Sequence, residues 1–99
     1  MPSPLVDRVT ERINELVEEE TSRKIGELNI VSEVSELPDG TIKIRFTPLS
    51  PYSPIAVATG RELRDASMGV DGVKHVTVEC VGHMQDELVN RLVNKQAKP

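Results

Sequence analysis

The chain has no tryptophan and only two aromatic residues, Phe46 and Tyr52, among its 99 residues. Its core must therefore be filled by Val, Ile, Leu, Met and Ala. The stacking platforms on which nucleic-acid binders lay their bases are missing too. Cys80 is the one cysteine, so an intramolecular disulfide is excluded. With only His75 and His83 beside it, no zinc-finger spacing exists, and a metal held by this chain alone would have to recruit carboxylates. No apolar run approaches the roughly 20 residues of a membrane span. The opening MPSPLVDRVTERI lacks both the basic and the continuous apolar region of a signal peptide, so a soluble cytoplasmic protein without membrane attachment is expected. An excess of positive charge is also absent: the formal net charge is −4. Residues 1–36 hold nine acids and four bases, or −5, and residues 37–99 hold seven acids and eight bases, or +1. The bases form no stripe, so nucleic acid is not an expected partner.

What is present reads as one domain over residues 1–99. SPLVDRVTERINELVEEE predicts an amphipathic helix within residues 1–20. Ser3 caps it, Pro4 takes the first helical position, and Leu5, Val9, Ile13 and Leu16 share a face. Glu18, Glu19 and Glu20 read as a solvated helix end that opposes the macrodipole. Leu28–Leu37 reads as a strand with imperfect alternation. The PDG turn at 38–40 then leads into TIKIRF, where Ile42, Ile44 and Phe46 alternate with polar residues, giving a β-hairpin.

Pro54–Met68 predicts a second helix, with Ser53 as its cap and with Ala56 and Gly60 permitting close packing against the sheet. Val76, Val78 and Cys80 alternate as a third strand, QDELVNRLVNK forms a last helix with Leu88, Val89, Leu92 and Val93 inward, and 96–99 is expected to fray. The order α-β-β-α-β-α gives an α+β domain. Its three-stranded mixed sheet combines a hairpin with a parallel crossover strand, and helices pack on it.

The stretch FTPLSPYSPIA places three prolines between strand and helix. Ser53 stands at the helix mouth, where backbone N–H groups favour an anion or a thiolate. A serine-dependent hydrolase would need a base there, and His83 is the only candidate; no GxSxG elbow surrounds Ser53. Cys80 shares the phase of Val76 and Val78 and is expected to be a buried, inert thiol. Glu27 alone reads as a surface acid.

IRFTP with its proline-rich loop and helix, GVKHVTVECVGHMQDELVNRL, and ELNIVSEV together resemble the SufT/PaaD-like family of iron–sulfur cluster assembly proteins. That family includes the eukaryotic cytosolic iron–sulfur assembly targeting factors, and the resemblance runs over about residues 25–92. It implies a small α/β domain, not itself an enzyme, that helps deliver clusters to recipient or carrier proteins by protein–protein contact, often as a homodimer.

The family's loop cysteine corresponds to Ser53, its usual Asp to Glu27, and a Gly of its DLGLVYDV-type segment to Asn29. The resemblance thus implies an adapter that does not ligate a cluster through its own loop. Tyr52, Ser53, Thr47 and Glu27 would form its recognition surface, with His83 at the rim. A transient iron–sulfur cluster or iron would otherwise fall to Glu27, His83, Cys80 and a partner's thiols. A structural subunit that oligomerises through an exposed strand edge is the remaining reading.

Overall fold

A computed structural model describes residues 3–95. Helix α1 spans Pro4–Asn14, the one-turn α2 Ile25–Leu28, β1 Val31–Glu36, β2 Thr41–Phe46, α3 Ala56–Met68, β3 His75–Cys80 and α4 Asp86–Asn94. The tail expected to fray, 96–99, lies outside the described residues.

The sheet has the order β1-β2-β3, with β1 antiparallel and β3 parallel to β2. Ile42, Ile44 and Phe46 of β2 and Val76, Val78 and Cys80 of β3 are buried under the helices. The opposite face is solvated and carries a cross-strand charge ladder. Arg45 bonds Glu33 at 3.0 Å and Glu79 at 2.9 Å, and Lys43 lies 3.7 Å from Glu79. The result is the expected small α+β domain with a three-stranded mixed sheet, one face apolar and packed, the other polar and open.

Helix α1 starts as its sequence dictates: the Ser3 Oγ accepts the Val6 N–H at 3.0 Å, Pro4 follows, and Val9 and Ile13 are buried. The helix expected within residues 1–20 stops at Asn14. Three successive glutamates at its C-terminus would oppose the dipole, and the chain instead folds back in a short bridge, Val17 to Lys24. Glu18 is not solvated there but 2% exposed. Its carboxylate accepts the Thr21 N–H at 2.7 Å and the Glu20 N–H at 3.1 Å. Burial acts to raise its pKa, yet these bonds outweigh it and hold the group below its ordinary value.

The expected strand Leu28–Leu37 begins only at Val31, because Ile25–Leu28 forms α2 and Asn29 closes it with a left-handed φ of 55°. A shift of register between Val31 and Glu33 leaves Ser32 as an extra residue. That bulge explains the imperfect alternation, since Val31 and Val34, three apart, both pack against the core. Gly60 permits a close approach of α3, but to α4 more than to the sheet as anticipated: a Cβ there would lie 2.6 Å from Val93 of α4 and an ordinary 3.4 Å from Phe46 of β2.

As the free outer edge of β3 runs along α4, its backbone groups find partners on that helix. The Asn90 amide bonds both the N–H and the C=O of Cys80, and Asn94 bonds both groups of Val78, at 2.9 and 2.7 Å. One carboxamide carries a donor and an acceptor. Two asparagines four apart on a helix therefore cap the edge much as another strand would.

Candidate functional site

Strands β2 and β3 run parallel, so their C-terminal ends deliver two loops to the same end of the molecule. One is the proline-rich loop 47–55 and the other is 81–85. Backbone bonds tie each loop to the sheet: Thr47 N–H to the Ile30 carbonyl and Val81 N–H to the Phe46 carbonyl, both at 2.9 Å. Gly82 has a φ of 92°, and a Cβ there would meet the Thr47 methyl at 3.1 Å. Only glycine holds that turn without strain.

Within the first loop, the Ser50 hydroxyl accepts the Tyr52 N–H and the Ser50 carbonyl accepts the Ser53 N–H, both at 3.1 Å. Pro48 is buried, while Pro51 and Pro54 restrict the backbone at the surface. The loops are then joined to each other. Met84 N–H donates to the Pro51 carbonyl at 2.8 Å. The His83 ring bridges the Ser53 carbonyl, 3.0 Å from Nε2, and the Gln85 N–H, 3.0 Å from Nδ1. Because Nδ1 accepts from an amide, the bonding pattern assigns the proton to Nε2, which donates to Ser53.

This geometry brings Ser53, Tyr52, Thr47 and His83 together and changes the roles read from sequence. Ser53 does not cap α3. Ile55 is the residue before the helix, and the Ser53 Oγ, in a residue 7% exposed, accepts the Ile55 N–H at 3.3 Å. His83 reaches the Ser53 carbonyl rather than its hydroxyl, and both ring nitrogens are engaged. The base expected for a serine nucleophile is therefore absent from Oγ.

Glu27 stands apart on α2, paired with Arg23 at 3.3 Å. Cys80 is buried, as its phase predicts. Burial, together with the charge of Asp86, pushes its thiol up to about 11, so it is protonated at neutral pH. Among the described residues no three His, Cys, Asp or Glu side chains converge as metal ligands. With Ser53, His83, Glu27 and Cys80 placed in this way, the site does not fit an iron–sulfur cluster held by this chain alone.

What sequence reasoning missed is the apolar surface around the joined loops. Tyr52 is 72% exposed and Met84 65%, and Leu49, Val81 and Leu88 are exposed beside them in the same two loops and the first turn of α4. Leu88, expected inward on α4, is instead 40% exposed, because it lies in the first turn beside the exposed Met84 and outside the stripe that packs on the sheet. The buried Val89 and Val93 already supply that stripe.

No family model matches this chain. It is 24% identical over 72 residues to the uncharacterized protein MJ1129 of Methanocaldococcus jannaschii, covering 73% of this chain and 76% of that one. Its fold is similar to the crystal structure of a domain of unknown function, DUF59, from Bacillus anthracis. That match has a TM-score of 0.72 at 18% identity, over 90% of this chain and 87% of the other. A likeness at this identity establishes the fold. Among the described residues no helix is long and apolar enough to cross a membrane.

Proposed function

We propose that this protein is a cytoplasmic iron–sulfur cluster assembly or targeting adapter. It acts by protein–protein contact through the surface formed by Tyr52, Leu49, Val81, Met84 and Leu88. The observation that supports this reading most is the exposure of those side chains on two loops, and on the helix turn that follows, where hydrogen bonds and prolines restrain the backbone. Large exposed apolar side chains on a preorganised backbone bury area on binding at little ordering cost. The resemblance over residues 25–92 supplies the biological context. The DUF59 fold points the same way, since that domain family includes SufT/PaaD-like proteins.

In this reading the loop presents side chains and does not ligate. Ser53 is spent on fixing the loop: its carbonyl receives His83, its hydroxyl the Ile55 N–H. Cargo clusters would be held by partner thiols. A strain lacking the gene should lose activity of iron–sulfur dehydratases. Wild type should restore that activity, and the double variant Tyr52→Asp/Met84→Asp, folded to the same stability, should not. Full rescue by the double variant would sink the reading.

A further inference from the structure

At the N-terminal end of β3, about 16 Å along the strand from the loops, a cleft of about 500 Å³ opens between α3, β3 and the end of α4. We propose that it binds the phosphate group of a small ligand.

The strand edge gives the first reason. Val78 and Cys80 turn their backbone groups outward to Asn94 and Asn90, so by alternation Val76 turns its own outward too. Helix α4 ends at Asn94, and none of the described groups bonds the Val76 N–H. The capping therefore runs out at the cleft, which Val76 lines.

Charge is the second reason. Arg64, Lys74 and His75 line the same cleft. The Arg64 side chain is only 19% exposed, and its Nε is buried without a partner. Among the described residues that Nε finds no acceptor and is closed to solvent, so the guanidinium charge is incompletely compensated and an anion in the cleft would favour it through its charge. Two exposed acids face this group: Asp39, held by the Thr41 N–H at 3.0 Å, is also near enough to feel the charge of His75, and Asp65 pairs at 3.8 Å with an Nη of Arg64, so Lys74 is the cation left to an incoming anion. A guanidinium, an ammonium, an imidazole and a strand N–H around one concavity match the charge and the several acceptors of a phosphate. The volume, with Met68 on one wall, leaves room for an organic portion.

The test is NMR titration of the full chain with inorganic phosphate and, separately, with adenosine monophosphate, at fixed ionic strength. Saturable shifts are expected at the Val76 amide and the His75 ring, both of which line the cleft. Lys74→Gln and Arg64→Met should each weaken binding about tenfold, the loss of one charge-assisted bond. Tighter binding of the nucleotide than of phosphate would place the organic portion against Met68; equal binding would mean that phosphate alone is read. Shifts that never saturate with either probe, or unchanged affinity in Lys74→Gln, would overturn the proposal. Lys74 is exposed, so its variant remains informative even if Arg64→Met fails to fold.

Discussion

At Cys80, the last residue of β3, both outward backbone groups are taken up by the Asn90 amide; at Val76, four residues earlier, none of the described groups meets the N–H. The same strand thus ends in two different chemistries. At its C-terminal end hydrogen bonds from His83, Met84 and Asn90 hold the loops and the strand edge, and the largest side chains left exposed, Tyr52 and Met84, are apolar. At its N-terminal end the Val76 N–H finds no partner among the described residues, and Arg64, Lys74 and His75 line the cleft beside it. A surface with satisfied polar groups and exposed Tyr and Met suits a protein partner. Unmet donors among positive charges suit a small anion. One short domain can therefore carry two contacts of different kind without either disturbing the other.

Removing what completes the C-terminal end should have the largest effect. Asn90→Ala leaves the edge-facing N–H and C=O of buried Cys80 without their side-chain partners and should cost about 3 kcal/mol in urea unfolding. A loss below about 0.5 kcal/mol would mean that water replaces the amide and that the edge needs no cap. His83→Phe keeps the ring volume but removes the bond to the Ser53 carbonyl, which joins the loops, and the bond from the Gln85 N–H within the second loop. A cost of about 1–2 kcal/mol is expected, with faster amide hydrogen exchange at Met84 and Gln85; unchanged exchange would show that the loops do not depend on the bridge.

Acid sharpens the contrast from outside both ends. Backbone bonding from Thr41 lowers the Asp39 carboxyl, and Arg45 lowers that of Glu79. Glu18 is lowered despite burial. Carboxyls depressed by folding contribute stability fully above their ordinary values of 3.8 for Asp39 and 4.5 for the glutamates. That contribution is lost as pH falls through the folded values. Unfolding free energy should be level in this respect from neutrality down to about pH 5 and then fall. Glu18→Gln should lower the plateau by about 1 kcal/mol and flatten the fall. Smallest of all, Tyr52→Asp/Met84→Asp should leave stability within about 0.5 kcal/mol of wild type, as surface changes do. A larger loss would mean that these side chains pack rather than present.

Much of the fold could be read in the residues. Ser3-Pro4 marked the start of α1, the TIKIRF alternation marked β2, and Gly60 marked a close approach of α3, though its tightest neighbour is α4 and not the sheet. The phase of Cys80 foretold its burial. Illegible features were those in which a local pattern yields to a partner distant in sequence. Glu18 looks like one of three solvated acids until the turn at Thr21 bonds it. The bulge at Ser32 hides behind broken alternation. Ser53 and His83 were rightly suspected as neighbours, but nothing in sequence tells a carbonyl contact from a hydroxyl contact. Asn90 and Asn94 read as polar residues on a helix, and only the sheet edge beside them gives the pair a role. The cleft lined by Arg64, Lys74 and His75 draws on two elements whose spatial relation depends on the parallel crossover.

The most direct test of the adapter reading is the iron and sulfide content of the purified chain after anaerobic cluster reconstitution, with Ser53→Cys beside wild type. The account predicts only background iron and sulfide in wild type, because Ser53, His83, Glu27 and Cys80 are all spoken for or buried; a cluster gained by Ser53→Cys would add that the loop has the shape of a cluster site without its sulfur. Stoichiometric iron and sulfide in wild type would contradict the account and make this chain itself a cluster carrier.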